Sequence, residues 1–145
     1  MGAEALPMEL RLGLRAGSVF YFQSRELSPH EPHFFVVVNR EPVTSRLLLL
    51  TIVSSKVEKV RLRNRERLET VVEITPQEYD EFKLLSAVDC NVVLTVLEKS
   101  LSELVGLVKR KEVRYHKDLP PPIFAKIKTA ILASPLVADE FKRLL

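Results

Sequence analysis

Cysteine is nearly absent from this chain. Cys90 is the one cysteine among 145 residues, which excludes an intramolecular disulfide and a cysteine metal cluster and fits a reducing compartment. Long apolar runs are missing too. The longest, residues 47–50 followed by Ile52 and Val53, is interrupted by Thr51 and is far too short to cross a bilayer. The first residues carry Glu4 and Glu9 and no apolar stretch of signal length, so no secretory leader is expected and the protein reads as soluble and cytoplasmic. A strong charge of one sign is also lacking. Lys and Arg number 22 against 19 Asp and Glu, a net charge of +3. That balance permits a nucleic-acid partner without demanding one. Internal repeats and low-complexity tracts are not found.

What is present suits one domain over residues 1–145. A chain of this length buries roughly 68–70% of its unfolded surface, and 46% hydrophobic with 28% charged residues is ordinary globular composition. After a leader of uncertain structure over residues 1–16, aromatic and β-branched runs predict strands over residues 18–22, 33–38 and 46–53. The strand over residues 33–38 is apolar on both faces, so both faces are expected to be covered. The intervening residues 23–32 hold Pro29 and Pro32 and read as a loop. Pro42 marks a turn over residues 39–44. Residues 57–62 alternate apolar and basic and predict a half-exposed strand or hairpin arm. Further strands are expected over residues 69–74 and 86–93.

Helix signals lie later. Thr75, Pro76 and Glu78 form a capping box that predicts a short helix. Ser100 and Glu103 form a second, opening a helix to about residue 111 with Leu104, Leu107 and Val108 as its apolar stripe. Three prolines, 120–122, interrupt the chain before a helix carrying Ile123, Ile127, Ala130 and Ile131. Ser134-Pro135 restarts a last helix to residue 145. Strands first and helices after predict an α+β fold, mainly β with C-terminal helices: a small barrel over residues 15–95 and a helical extension over residues 100–145 packed on it.

The order of these elements resembles the PemK/MazF family of toxin ribonucleases. Gly17-Ser18-Val19-Phe20, the strand from His33 to Asn39, the segment Thr51-Ile52-Val53-Ser54-Ser55, and the strands near residues 71–74 and 86–92 carry the resemblance, which covers roughly residues 15–95. It implies an SH3-like barrel and a metal-independent endoribonuclease, a hydrolase cutting single-stranded RNA with no cofactor. It also implies an antitoxin protein as inhibitor and a homodimeric state.

In that family an Arg before the loop-to-strand proline and a Thr or Ser at the end of the next strand promote attack of a ribose 2′-hydroxyl on the adjacent phosphate. Here Ser54 meets the hydroxyl position, with Ser55 beside it. The Arg is replaced: the local sequence is His30-Glu31-Pro32-His33. The resemblance therefore leaves His30 or His33 in place of the Arg as acid/base, His33 foremost, Ser54 as the catalytic hydroxyl and Arg25 as the phosphate contact. His30, Ser55, Arg61 and Arg63 are candidate RNA contacts. Loss of the Arg equally admits a degenerate barrel module that binds RNA or a protein without cleavage.

Each of these residues also has a plainer explanation. His30 and His33 suit a surface loop, and with only Glu26 and Glu31 nearby they make a thin ligand set, so no metal site is expected. Ser54 and Ser55 suit backbone satisfaction at a strand end. Arg61, Arg63, Arg65 and Arg67, and the run from Lys109 to Lys117, suit a solvated face as well as a phosphate track. Cys90 reads as a buried small hydrophobe.

Overall fold

The computed structural model describes residues 14–45, 47–96 and 98–145. The leader expected over residues 1–16 lies outside them up to residue 13. Seven strands form one antiparallel sheet: β1 (Val19–Phe22), β2 (His33–Val37), β3 (Leu48–Ser54), β4 (Val71–Ile74), β5 (Ser86–Asp89), β6 (Leu94–Val96) and β7 (Arg114–His116). Their order is β4-β5-β3-β2-β1-β7, with β6 also paired to β3. The described helices are α1 (Pro42–Ser45), α2 (Val57–Arg63), α3 (Glu98–Lys109), α4 (Pro121–Ala133) and α5 (Asp139–Lys142).

The strand pattern explains the layering. On β2, Phe35 and Val37 join one core while Val36 joins the other, and all three are fully buried. The first core collects Val19, Leu49, Val53 and Val88 beneath the stripe Ile123, Ile127, Ala130 and Ile131 of α4. The second collects Phe20, Phe22, Leu48 and Leu50 beneath Leu104 and Leu107 of α3. Helices thus cover both faces, as the unbroken apolar run of β2 demands. The result is an α+β fold. The closed barrel expected from sequence is not what forms: among the described residues no pairing joins β4 to β7, and α3 and α4 seal the faces that closure would have sealed.

Three local expectations are corrected. Residues 57–62 are helical, not extended: Val57 and Val60 stand one turn apart and pack with Ala87, so the apolar period is helical. The box of Thr75 and Glu78 forms, with the Thr75 N–H donating to Glu78 at 3.0 Å and the Glu78 N–H to the Thr75 hydroxyl at 3.2 Å, but it closes a turn that goes no further. Glu103 does not cap its own helix. α3 starts earlier, at Glu98, and the Glu103 carboxylate instead accepts the Ser24 hydroxyl at 2.5 Å and the Arg25 N–H at 2.9 Å. The Ser100 side chain lies outside the described residues. A strand was also missed: β7 falls in the segment between the helix expected to end near residue 111 and the prolines at 120–122, to which no element was assigned, and it pairs with β1. The last helix is shorter than expected, only Asp139–Lys142.

Two positions use left-handed backbone. Gly17 (φ +92°) sends its N–H to Val37 O at 2.8 Å and accepts Leu119 N–H at 3.0 Å. Lys111 (φ +59°) closes α3, its N–H bonding Val108 O at 3.0 Å while the Glu112 N–H bonds Leu107 O at 2.9 Å. This is the Schellman pattern, whose left-handed residue is usually glycine. A buried polar knot ties the layers together. The Asn91 amide donates to Asn64, Thr70 and Asp89 at 3.0, 2.7 and 3.0 Å, and its oxygen accepts the Ser134 hydroxyl at 2.6 Å. Burial opposes the Asp89 charge. Bonds from Asn64, from Asn91 and from Arg63 outweigh it and hold the carboxyl below its ordinary range.

Gly17→Ala is expected to destabilise by roughly 1–2 kcal/mol and Lys111→Gly to stabilise by up to about 1 kcal/mol, both read by denaturant titration. Because its folded pKa is depressed, Asp89 adds stability that is complete above the ordinary carboxylate value of about 4 and is lost as pH falls through the folded value. Asp89→Asn should flatten that acid limb in stability curves taken across the acid range.

Candidate functional site

Several chain segments meet at one end of the sheet. β2 starts there at His33, β3 ends there at Ser54 and β5 starts there at Ser86. The register pairs Phe34 with Val53; one step further sets His33 across from Ser54. Antiparallel pairing therefore brings the proline loop of residues 23–32 to the hydroxyls that close β3.

A cleft of about 310 Å³ opens at this junction, bounded by Glu31, Pro32 and His33, by Ser54, Ser55 and Lys56, and by residues 81–84 with Ser86. Its floor is aromatic. Phe34 lies 4.7 Å from Tyr21, 4.8 Å from Phe82 and 5.0 Å from His116, ring centre to ring centre. Beneath it Tyr79 is almost fully buried and donates its hydroxyl to Lys117 O at 2.5 Å. Burial first, then the nearby acids Glu81, Asp118 and Asp80, push the Tyr79 phenol pKa upward.

The polar groups of the cleft are few and specific. The Ser54 oxygen accepts the Lys56 N–H at 3.1 Å, which satisfies the start of α2. Its own proton has no acceptor among the described residues, so the hydroxyl is free to donate to a ligand. His33 holds Nδ1 at 3.1 Å from Glu31 O and Nε2 at 3.7 Å from the Glu31 carboxylate. The Lys56 ammonium is 3.8 Å from the same carboxylate. Lys83 bonds Asp80 O at 2.9 Å, and Glu81 faces His116 at 3.6 Å. The site can thus offer a hydroxyl donor, an ammonium and an imidazole around an exposed carboxylate.

Of the sequence candidates, His33, Ser54 and Ser55 come together here. His30 is exposed on the loop and does not line the cleft. Arg25 lies outside as well; it lines a second groove. Arg61 is committed to Glu73 in a two-point bond of 2.6 and 2.5 Å and to Glu58, and the Glu73 bond foremost raises the Arg61 pKa. Arg63 pairs with Asp89 at 3.0 Å. A helix turns successive residues by roughly 100°, so the arginines do not follow one strand edge; α2 and its following turn gather Arg63, Arg65 and Arg67 around a separate depression away from the cleft. Lys56, Glu81 and Lys83 were not singled out from sequence. Lys56 had a readable signal, as the first cation after the paired serines; Glu81 and Lys83 arrive through tertiary folding alone. Among the described residues no group of three or more His, Cys, Asp or Glu side chains converges as a metal site, and no helix is long and apolar enough to cross a membrane.

No protein-family profile matches the chain, and no curated protein matches it. Among solved structures it is similar to one described as an endoribonuclease in complex with its cognate antitoxin from mycobacterial species. The match has a TM-score of 0.53 and 14% identity, and covers 83% of this chain and 93% of that one. The two chains share a fold.

Cys90 is fully buried, and burial, assisted by the Asp89 charge, pushes its thiol up to about 12. It fits the small-hydrophobe role and supplies no nucleophile. A thiol-reactive dye should label native protein far more slowly than protein unfolded in denaturant, with Cys90→Ser as the blank.

Proposed function

We propose that this protein is an endoribonuclease toxin of the PemK/MazF type, a cytoplasmic enzyme that cuts single-stranded RNA without a metal ion. The observation that carries the proposal is the meeting of His33 with the Ser54 and Ser55 hydroxyls in one cleft, on a fold shared with an endoribonuclease. In this reading the Ser54 hydroxyl and the Lys56 ammonium hold the phosphate, where donors stabilise charge developing on its oxygens. His33 takes the proton of the ribose 2′-hydroxyl as O2′ bonds to phosphorus. The bond from phosphorus to O5′ breaks, and the imidazolium returns its proton to O5′. The products are a 2′,3′-cyclic phosphate and a 5′-hydroxyl. The neighbour's antitoxin and the family's homodimers make an antitoxin peptide and a second copy of the chain the proposed partners.

A second reading has a specific observation behind it. Glu31, not Arg, precedes Pro32, and its carboxylate lies against both His33 and Lys56. An acid at that point opposes a phosphate and favours a module that binds RNA or protein without cutting.

Purified protein incubated with a long unstructured RNA in EDTA should generate fragments ending in cyclic phosphate. His33→Ala should slow cutting by about 10²–10⁴-fold and Ser54→Ala by roughly 10²-fold, with circular dichroism unchanged. An intact RNA after incubation with the wild-type protein sinks the nuclease and leaves the binding module.

A further inference from the structure

The cleft does not end at Pro32. Tyr21 and Pro32 line it and equally line a second, larger groove of about 560 Å³ on their other side. That groove runs between the proline loop, through Gln23, Arg25 and Pro29, and the corner where α3 gives way to β7, through Arg110, Lys111 and Arg114. Two acids share it, and both are engaged. Glu103 is occupied by the Ser24 hydroxyl and the Arg25 backbone, and Glu112 by Arg110 at 2.8 Å. Arg25, Lys111 and Arg114 make no ion pair among the described residues. Arg114 instead lies over the Tyr21 ring, 5.5 Å from its centre. The groove therefore presents four cations, Arg25 on one wall and Arg110, Lys111 and Arg114 on the other, against two carboxylates, with an aromatic ring at the junction with the cleft.

The backbone supports a purpose for one of them. Lys111 holds a left-handed position that glycine fills more easily. The Schellman turn delivers Lys111 to the groove wall.

We infer that this groove is a second subsite: it carries the ribose-phosphate backbone of a single-stranded RNA continuing out of the cleft, with Arg114, held over the Tyr21 ring, at the crossing. A cationic track beside an aromatic face is the chemistry that single strands recognise without regard to sequence. The inference rests on the proposed RNA-binding role of the cleft, but not on cleavage. A single strand suits the shape better than a duplex, because the path bends around Pro32 and Tyr21.

The test is binding of a fluorescein-labelled polyuridine oligonucleotide, read by anisotropy across a salt series. Each phosphate contact on a single strand contributes about 0.7 to the slope of log affinity against log salt. The combined variant Arg25→Ala, Lys111→Gly, Arg114→Gln should lower that slope by about 2 and weaken binding at least tenfold at low salt. Lys111→Gly alone should weaken binding while its melting temperature stays level or rises, a combination that damage to the fold cannot produce. Unchanged affinity and slope in the combined variant overturn the subsite, and so does a loss of binding with no change in slope. A wild-type protein that binds the oligonucleotide in this salt-dependent way but leaves long RNA uncut retains the groove and removes the nuclease. Displacement of an acidic peptide by the same substitutions, with RNA binding intact, overturns the RNA assignment in favour of a protein partner.

Discussion

One strand serves three partners, and the molecule depends on how it does so. A strand has two edges, each able to carry one ladder of hydrogen bonds. β3 gives one edge to β2. It divides the other, with Leu48, Leu49 and Leu50 facing β6 and Val53 and Ser54 facing β5. The change of partner falls at Thr51 and Ile52, so β3 has to be long and buried nearly throughout. This division makes room for α3 on the side of β6 and for the α4 layer on the side of β4 and β5. It also fixes where β3 stops, and with it the position of Ser54 relative to His33.

Much of this was legible in the residues. The dense apolar run of β2 announced a strand covered on both sides, and Ile123, Ile127, Ala130 and Ile131 announced a helix whose buried stripe is the one observed. The failures have physical causes. Val57 and Val60 satisfy a helical period and, with Leu62, a loose alternation, and a short segment cannot decide between them; contact with Ala87 and β5 decides. β7 is three residues long and polar, with only His116 half-buried, so its extended form comes from pairing with β1 and leaves no apolar signature. Glu103 had the spacing of a helix cap, but a carboxylate serves whichever donors reach it, and the loop at Ser24 and Arg25 reaches it.

The candidate site divides the same way. The approach of the proline loop to the strand-end serines follows from antiparallel order and could be read off the chain. The far wall could not, because Glu81, Phe82 and Lys83 belong to the later connection between β4 and β5, folded over the sheet end. Arg25 illustrates the limit. The end of its loop lines the cleft, yet the fold of that loop against α3 turns the Arg25 backbone to Glu103 and leaves its side chain on the second groove.

The polar knot around Asn91 has a consequence for how such a chain can vary. Its amide group supplies both donors and acceptor to partners drawn from the residue that caps α2, the turn before β4, β5 and the residue that caps α4. Aspartate at that position would set a second charge beside Asp89, and leucine would remove a bond from every partner at once. Positions 64, 70, 91 and 134 should therefore be inherited as a set. Changes among them are expected to be strongly non-additive, and sequences related by descent should keep the quartet or replace it wholesale.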